Sequence, residues 1–314
     1  MAGVTLAEYM RAVQVSDPTL AGVVRTYIDN APILGQAQNI GAPLPALGFQ
    51  NTVGGKVSFT RQKTLPATAF RAIGTEFDAT VGETETVSED LKIGGGRVQF
   101  DRALINRGGE QGAIEQQAMM IASFARNWNK SFYKGDGGSN SFTGLQARLT
   151  TAGKNLIDNE DAGLNLYLLD KVLLNVRGDN LVLAMGRGMA ARLQQGAKTL
   201  RNVNYTPATY GVSPATYSGV PILLAGEETD ESEILDFGET ADTTSIYVMS
   251  LGETGVVGAQ TKPMEVFWPT GRQEVDSPFI VEWDSNFIIK NPRSAIRIKG
   301  IKDAAIVVDE DETT

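Results

Sequence analysis

Hydrophobic positions recur at helical spacing in some stretches of this chain and at alternate positions in others. The strongest helical signal runs over about Glu110 to Tyr133, where Ile114, Ile121, Phe124, Trp128 and Phe132 fall at offsets 0, 7, 10, 14 and 18 and share one stripe of a 3.6-residue helix. At ~1.5 Å per residue such a helix is about 35 Å long. The glycine-rich run Gly135-Asp136-Gly137-Gly138 stops it. Helix, strand, helix is predicted across 165–200: Leu166 through Val176, then Asn180 to Met185, then Gly188 to Lys198. Further strands are predicted at Val220–Leu224, Ser245–Met249, Met264–Trp268, Phe279–Ile289 and Ala295–Ile301.

The first third is patterned differently. Val57 to Arg61 and Ala69 to Ile73 alternate as strands do, and a polar Thr/Val/Glu stretch follows from Gly74 to Gly96. That stretch is too regular for plain disorder and too poor in large apolar residues to bury a face of its own. It predicts a long two-stranded excursion, and an isolated hairpin is marginal without support from elsewhere. Gly94-Gly95-Gly96 predicts a flexible joint before the strand Arg97–Asp101. Residues 1–48 predict an arm, with short helices at Leu6–Val13 and from Thr19 to about Asp29, then a Pro/Gly-rich segment that cannot sustain a regular helix. Its apolar residues need a surface, either as a strap over this chain's own body or as an arm on a neighbouring subunit. Asp309-Glu310-Asp311-Glu312 predicts a disordered acidic tail.

Composition narrows the chemistry. Cysteine and histidine are both absent from the 314 residues. Disulfides, thiol nucleophiles, thiolate metal sites and the usual near-neutral catalytic base are therefore excluded. The net charge of −9 is uneven: residues 1–157 hold 15 basic and 13 acidic residues, and residues 158–314 hold 13 and 24. An acidic second half disfavours sequence-specific DNA reading, which leans on dense Lys/Arg contacts to phosphate. The N-terminus lacks a basic start followed by an apolar block, and no apolar run approaches the roughly 20 residues of a bilayer span. The expectation is a protein kept in a cytoplasm with no membrane partner.

Three motifs invite a chemical reading. Gly186 to Ala191 matches G-x-G-x-x-[GA] between a predicted strand and helix, but after Asp179 the next acidic residue is Glu227, so no carboxylate stands about 20 residues on to hold a ribose. Small residues at a strand–helix corner explain it better than a cofactor site. Gly135–Gly138 lacks the Gly-Lys-Ser/Thr ending of a phosphate loop and closes a helix instead of opening one, so a turn is expected. Glu227, Glu228, Asp230, Glu231 and Glu233, with Asp236, Glu239 and Asp242 beyond, contain no basic residue and no EF-hand spacing. A solvated acidic loop is the default there and a hard-cation site the alternative. Arg126, Lys130 and Lys134 predict a solvated helix face, or in a shell a surface for acidic partners or packaged DNA. No catalytic, cofactor-binding or metal residue is nominated, and no cofactor is expected.

The order of parts resembles the major capsid proteins of tailed bacteriophages. The likeness is carried by Asn129–Leu145, where a helix ends in an aromatic, a Gly-Asp-Gly turn, a polar gap and Phe142-Thr143-Gly144-Leu145. It continues in Tyr217-Ser218-Gly219-Val220-Pro221-Ile222, in Ser245–Met249 running into Gly252 and Gly255–Gly258, and in Phe279–Trp283 leading to Lys290–Ala295. The resemblance implies an α+β, HK97-type capsid fold. Residues 1–48 would be the N-terminal arm and 49–100 the E-loop with its flanking strands. Residues 101–165 would form the P-domain with the long spine helix, completed by 264–292. Residues 166–263 would form the A-domain, completed by 293–302, and 303–314 an acidic tail. It implies a non-enzymatic shell subunit, self-assembled as pentamers and hexamers in a host cytoplasm, enclosing DNA without recognising it. A separate scaffolding protein is the expectation, because the short arm leaves no obvious room for a fused scaffold, and the resemblance further implies a portal, with a decoration protein as an optional partner. Lys56, Lys63 and Lys92 lie near the E-loop, but nothing marks one as a crosslink donor. The competing readings are an encapsulin-like nanocompartment of the same fold and a nucleotide-cofactor oxidoreductase built on Gly186–Ala191.

Overall fold

The computed structural model describes residue 33 and residues 47–101, 103, 111–151, 153–200, 216–267 and 276–307. Among these, three sheets carry the fold. The first is built on the long strand β12 (Asp276–Ile289), which pairs antiparallel with β4 (Lys92–Asp101) along one edge. Its other edge takes β10 (Val256–Gln260) and β11 (Glu265–Phe267), and β1 (Phe49–Asn51) adds parallel to β10. The second sheet has the order β5-β13-β9-β6-β8-β7, from β5 (Leu156–Ala162), β6 (Leu181–Met185), β7 (Thr216–Tyr217), β8 (Val220–Leu224), β9 (Thr243–Ser250) and β13 (Ala295–Lys302). The third is the bare antiparallel hairpin of β2 (Lys56–Thr64) and β3 (Glu83–Asp90).

The predicted spine helix is α1 (Gln111–Lys134), and its apolar stripe is the centre of the molecule. Ile121, Phe124, Trp128 and Phe132 are all buried. Trp128 stacks on Trp283 of β12 at 5.6 Å and on Phe132 at 5.7 Å, and its indole N–H donates to Ser285 Oγ at 3.0 Å. A second stripe one residue on, Ala125, Asn129 and Tyr133, faces the second sheet: Asn129 Nδ2 donates to the Ala225 carbonyl, and Tyr133 packs against Tyr247 of β9 at 5.6 Å. One helix thereby joins two sheets.

The second sheet is covered on both faces, which explains the continuous apolar run of β9, buried at every position. Tyr247 and Met249 face the aromatic core, while Ile246 and Val248 face α3 (Leu166–Asn175) and α4 (Arg187–Leu200). Asn165 caps α3, its side-chain oxygen accepting from the Tyr167 and Leu168 amides.

Several expectations are corrected. Ala69–Ile73 is not a strand, and the excursion is Lys56–Asp90, not 74–96. Its strands are the better-alternating ends, and the residues between them lack cross-strand partners. Gly94-Gly95-Gly96 is no joint but the middle of β4, paired to Trp283, Glu282 and Val281. Its glycines serve close approach: a Cβ at Gly94 would lie 2.9 Å from the Phe124 ring, and one at Gly96 2.7 Å from Met120, so only bare backbone lets α1 settle on this strand. Within the predicted tail, Ile306 and Val307 are half-buried, and Val307 exchanges backbone hydrogen bonds with Leu164 and Leu166. Trp268, the side chain of Ile114, both N-terminal helices and residues 308–314 lie outside the described residues. Of the arm, Ile33, Leu47 and Gly48 are described. Ile33 and Leu47 are buried in this chain's own core and joined by a 2.9 Å backbone hydrogen bond.

Candidate functional site

The hairpin is the feature that the rest of the chain does not explain. Its strands are zipped by charge: Arg61 pairs with Glu85 at 2.9 Å, Lys63 with Glu83 at 3.1 Å and Lys56 with Asp90 at 3.8 Å, all from a basic β2 to an acidic β3. These pairs are exposed and each adds at most ~1 kcal/mol. One face carries Val57, Phe59 and Val87, all half-buried, with Phe59 directly opposite Val87.

Beyond the strands, residues 65–82 form an irregular tip held by local bonds. Arg71 donates to the Thr75 carbonyl at 2.9 Å and lies 5.3 Å over the Phe77 ring, and Thr80 donates to the Ala67 carbonyl at 2.9 Å. This tip presents Leu65, Phe70, Ile73, Phe77 and Val81 to solvent, with Phe70 and Ile73 wholly uncovered. Such a concentration of large apolar side chains at the end of a projecting arm marks a contact surface. The sequence expectation of a purely polar excursion is therefore corrected: its strands are polar and its tip is not.

At its base the hairpin meets the body through a small polar cluster. Arg148, the last residue of α2 (Leu145–Arg148), pairs with Glu89, donates to the Thr143 carbonyl at 2.6 Å and covers the Phe287 ring at 4.4 Å. Asn286 Nδ2 donates to the Asp90 carbonyl at 2.9 Å, and Lys92 donates to the Ser139 carbonyl at 2.9 Å. Sequence reading missed this cluster. Residues 89, 148 and 286 meet only in three dimensions, and nothing local distinguishes Arg148 from any other helix-end cation.

The motifs singled out in the sequence resolve as packing devices. Asp136 and Thr143 form an isolated β-bridge, the Gly144 amide donates to the Gly135 carbonyl at 2.9 Å, and a Cβ on Gly144 would sit 2.3 Å from the Gly135 nitrogen. The Gly-Asp-Gly…Phe-x-Gly-Leu run is thus two glycine backbones in contact, a turn as expected. At Gly186 a Cβ would fall 1.9 Å from the Leu235 carbonyl oxygen, and at Gly188 2.8 Å from the Phe237 ring. Segment 235–237 fills the corner where a pyrophosphate would lie in a dinucleotide site.

The acidic cluster is not simply a solvated loop. Arg126, Lys130 and Lys134, four residues apart on α1, pair with Glu227, Glu228 and Asp236 in order, and Arg187 joins Glu227. The solvated-face reading of those basic residues is corrected in the same way, because one stripe of α1 meets one acidic loop of the same chain. Glu239 goes deeper. It pairs with Arg297, both side chains 9% exposed, and accepts from Gln146 at 2.7 Å, while Arg297 Nε donates to Ser245 Oγ at 3.0 Å. Among the described residues no group of three or more His, Cys, Asp or Glu is arranged to hold a metal ion. None of the described helices is long and apolar enough to cross a membrane.

No protein-family model matches the chain. No curated protein matches it either. Solved structures do. The capsid of a native GTA particle superposes with a TM-score of 0.63 at 14% identity, covering 84% of this chain and 94% of that one. The encapsulin of the holo-SrpI complex from Synechococcus elongatus gives 0.62 at 13% identity, over 84% and 88%. A chain of Mycobacterium phage Bobi gives 0.57 at 11% identity, over 86% and 95%. At these identities the likeness speaks for architecture alone, and the chain has the α+β, HK97-type fold that its sequence order resembles.

Proposed function

We propose that this chain is a structural subunit of an icosahedral phage capsid that self-assembles into a shell around the genome. The observation that carries the reading is the projecting hairpin with an apolar tip that no described residue of its own chain covers. Fully burying a side chain such as Phe70 or Ile73 is worth about 1.5–3 kcal/mol. Repeated at every subunit of a closed assembly, modest contacts of that size sum to a stable particle. The structural neighbours, a GTA capsid and a phage chain among them, support the same reading.

In this reading residues 1–48 are the N-terminal arm and 49–100 the E-loop with its flanking strands, the hairpin proper being Lys56–Asp90. The P-domain comprises 101–165 and 264–292, the A-domain 166–263 and 293–302, with the acidic tail from 303. Subunits form pentamers and hexamers in a host cytoplasm and end in the virion. A separate scaffolding protein directs them, a portal and a decoration protein complete the shell, and DNA is enclosed without specific contact. No catalytic role is assigned to any residue.

The encapsulin-like alternative stands beside it because the encapsulin superposes as well as the GTA capsid does, at 0.62 against 0.63. Contents separate the two. Shells purified after expression with the neighbouring genes of the host genome should be imaged by electron microscopy and their contents analysed. Closed shells protecting DNA support the capsid reading, closed shells filled with one co-purified protein support the nanocompartment, and discrete small oligomers under all conditions overturn both.

A further inference from the structure

The hairpin leaves the body through two thin connections. On the incoming side Gly54 and Gly55 have φ of +86° and +68°, a conformation that favours glycine, and a Cβ on either would meet nothing within 4 Å. The neighbouring Val53 is exposed, and the bend is spanned by the Thr52 hydroxyl, which donates to the Lys56 carbonyl at 3.0 Å. On the outgoing side Leu91 separates β3 from β4, its amide bonded to the Gly55 carbonyl at 2.8 Å. Among the described residues no third strand pairs with the ribbon beyond these two connections. The joint predicted at Gly94–Gly96 is absent there, and the positive-φ bend lies at Gly54–Gly55 instead.

Two side chains reach across these connections from the body, Arg148 to the Glu89 carboxylate and Asn286 to the hairpin backbone at Asp90. Arg148 pairs with Glu89 on the hairpin, with the two side chains 12% and 23% exposed. The guanidinium is itself held by three body groups: the Thr143 carbonyl, Asn286 Oδ1 at 3.4 Å and the Phe287 ring. Asn286 in turn donates to the Asp90 carbonyl. A planar guanidinium oriented this way offers the carboxylate one direction of approach. By contrast, the pairs farther out, Arg61–Glu85 and Lys63–Glu83, join the two hairpin strands to each other and leave the two connections untouched.

We propose that Arg148 and Glu89 form a latch that sets the angle at which the hairpin projects from the body, so that releasing it frees the hairpin to swing about Gly54–Gly55 and Leu91. The role of that angle in assembly rests on the shell reading above; the latch itself does not.

The absence of cysteine from the chain allows the angle to be read directly. Cysteines introduced at Ala72 on the tip and at Glu253 on the body, both exposed, can be spin-labelled in the full chain held below its assembling concentration, and the distance between them measured by pulsed electron resonance. Glu89→Gln is the main variant, because Glu89 lies outside the core. The latch predicts a shifted or broadened distance distribution with an unchanged melting temperature. Lys63→Ala, which breaks a strand-to-strand pair, should leave the distribution as in the parent. The exchanged pair Glu89→Arg with Arg148→Glu should narrow it again relative to Arg148→Glu alone. A Glu89→Gln distribution that overlays the parent's overturns the latch, whether or not the chain builds shells. A parent that builds no shells, with Glu89→Gln still loosening the hairpin, overturns the shell reading and leaves the latch standing.

Discussion

Among single residues, Glu239 and Arg297 carry the largest electrostatic stake. Both are nearly sealed from water, and their hydrogen bonds from Gln146 and to Ser245 tie α2 to β9 and β13. Removing one partner leaves the other charge buried and alone, which costs about 3–5 kcal/mol. Glu239→Ala should therefore lose that much in denaturant unfolding. Lys130→Ala, at a pair whose lysine is half exposed, should lose no more than ~1 kcal/mol, and less in high salt. Equal losses for the two would mean that the Glu239 network is better solvated than its burial indicates. Tyr133 and Tyr247 are buried against each other, and desolvation, the larger cause for each, pushes both phenols well above the ordinary tyrosine range. Neither should ionise while the fold persists, and alkaline absorbance titration should show both appearing only with unfolding.

At the level of elements, α1 was the most legible part of the sequence and is also the most consequential. Its aromatic stripe fixed its extent, because a 3.6 period of large apolar residues has few other solutions. Trp128 touches Phe49, Phe132, Phe142 and Trp283, so Trp128→Ala should cost about 3–5 kcal/mol by calorimetry or denaturant titration. Strands β6, β8, β9 and β13 of the second sheet were legible for a similar reason, their apolar runs being continuous. What escaped were elements whose reason lies elsewhere in the chain. β1 and β5 are short or polar and exist because β10 and β13 offer them edges. The three glycines of β4 suggest a joint until α1 is laid over them, and the acidic loop suggests solvent until the basic stripe of α1 meets it. Of the candidate site, the excursion was legible from its polar alternation, but its apolar tip was partly misassigned to a strand, because Ala69–Ile73 alternates without a partner to pair with.

For the molecule as a whole, the charge inventory fixes the shape of its pH response. With no histidine, no side chain of ordinary pKa titrates between about pH 6 and 8, and stability should be flat there. Asp158 is held below the ordinary aspartate value of 3.8 chiefly by its hydrogen bond from Lys299, and Asp303 likewise by Arg192. Asp136 is lowered by the Gly138 amide and Asp230 by the Ser232 hydroxyl. A depressed folded pKa means stability that is present above the unfolded value and lost as pH falls through the folded one. For these four groups thermal melts should thus decline on the acid side, below 3.8. A decline already under way at neutral pH would contradict this assignment. If the chain is a subunit finished by its neighbours through the hairpin tip, assembly must depend on Phe70 and Ile73. The parent and the double variant Phe70→Ser/Ile73→Ser should be compared by electron microscopy and sedimentation under the conditions in which the parent closes shells. The parent should give closed shells and the variant soluble subunits with an unchanged melting temperature. Shells of the same size and yield from both would show that the tip is not the contact that completes the subunit.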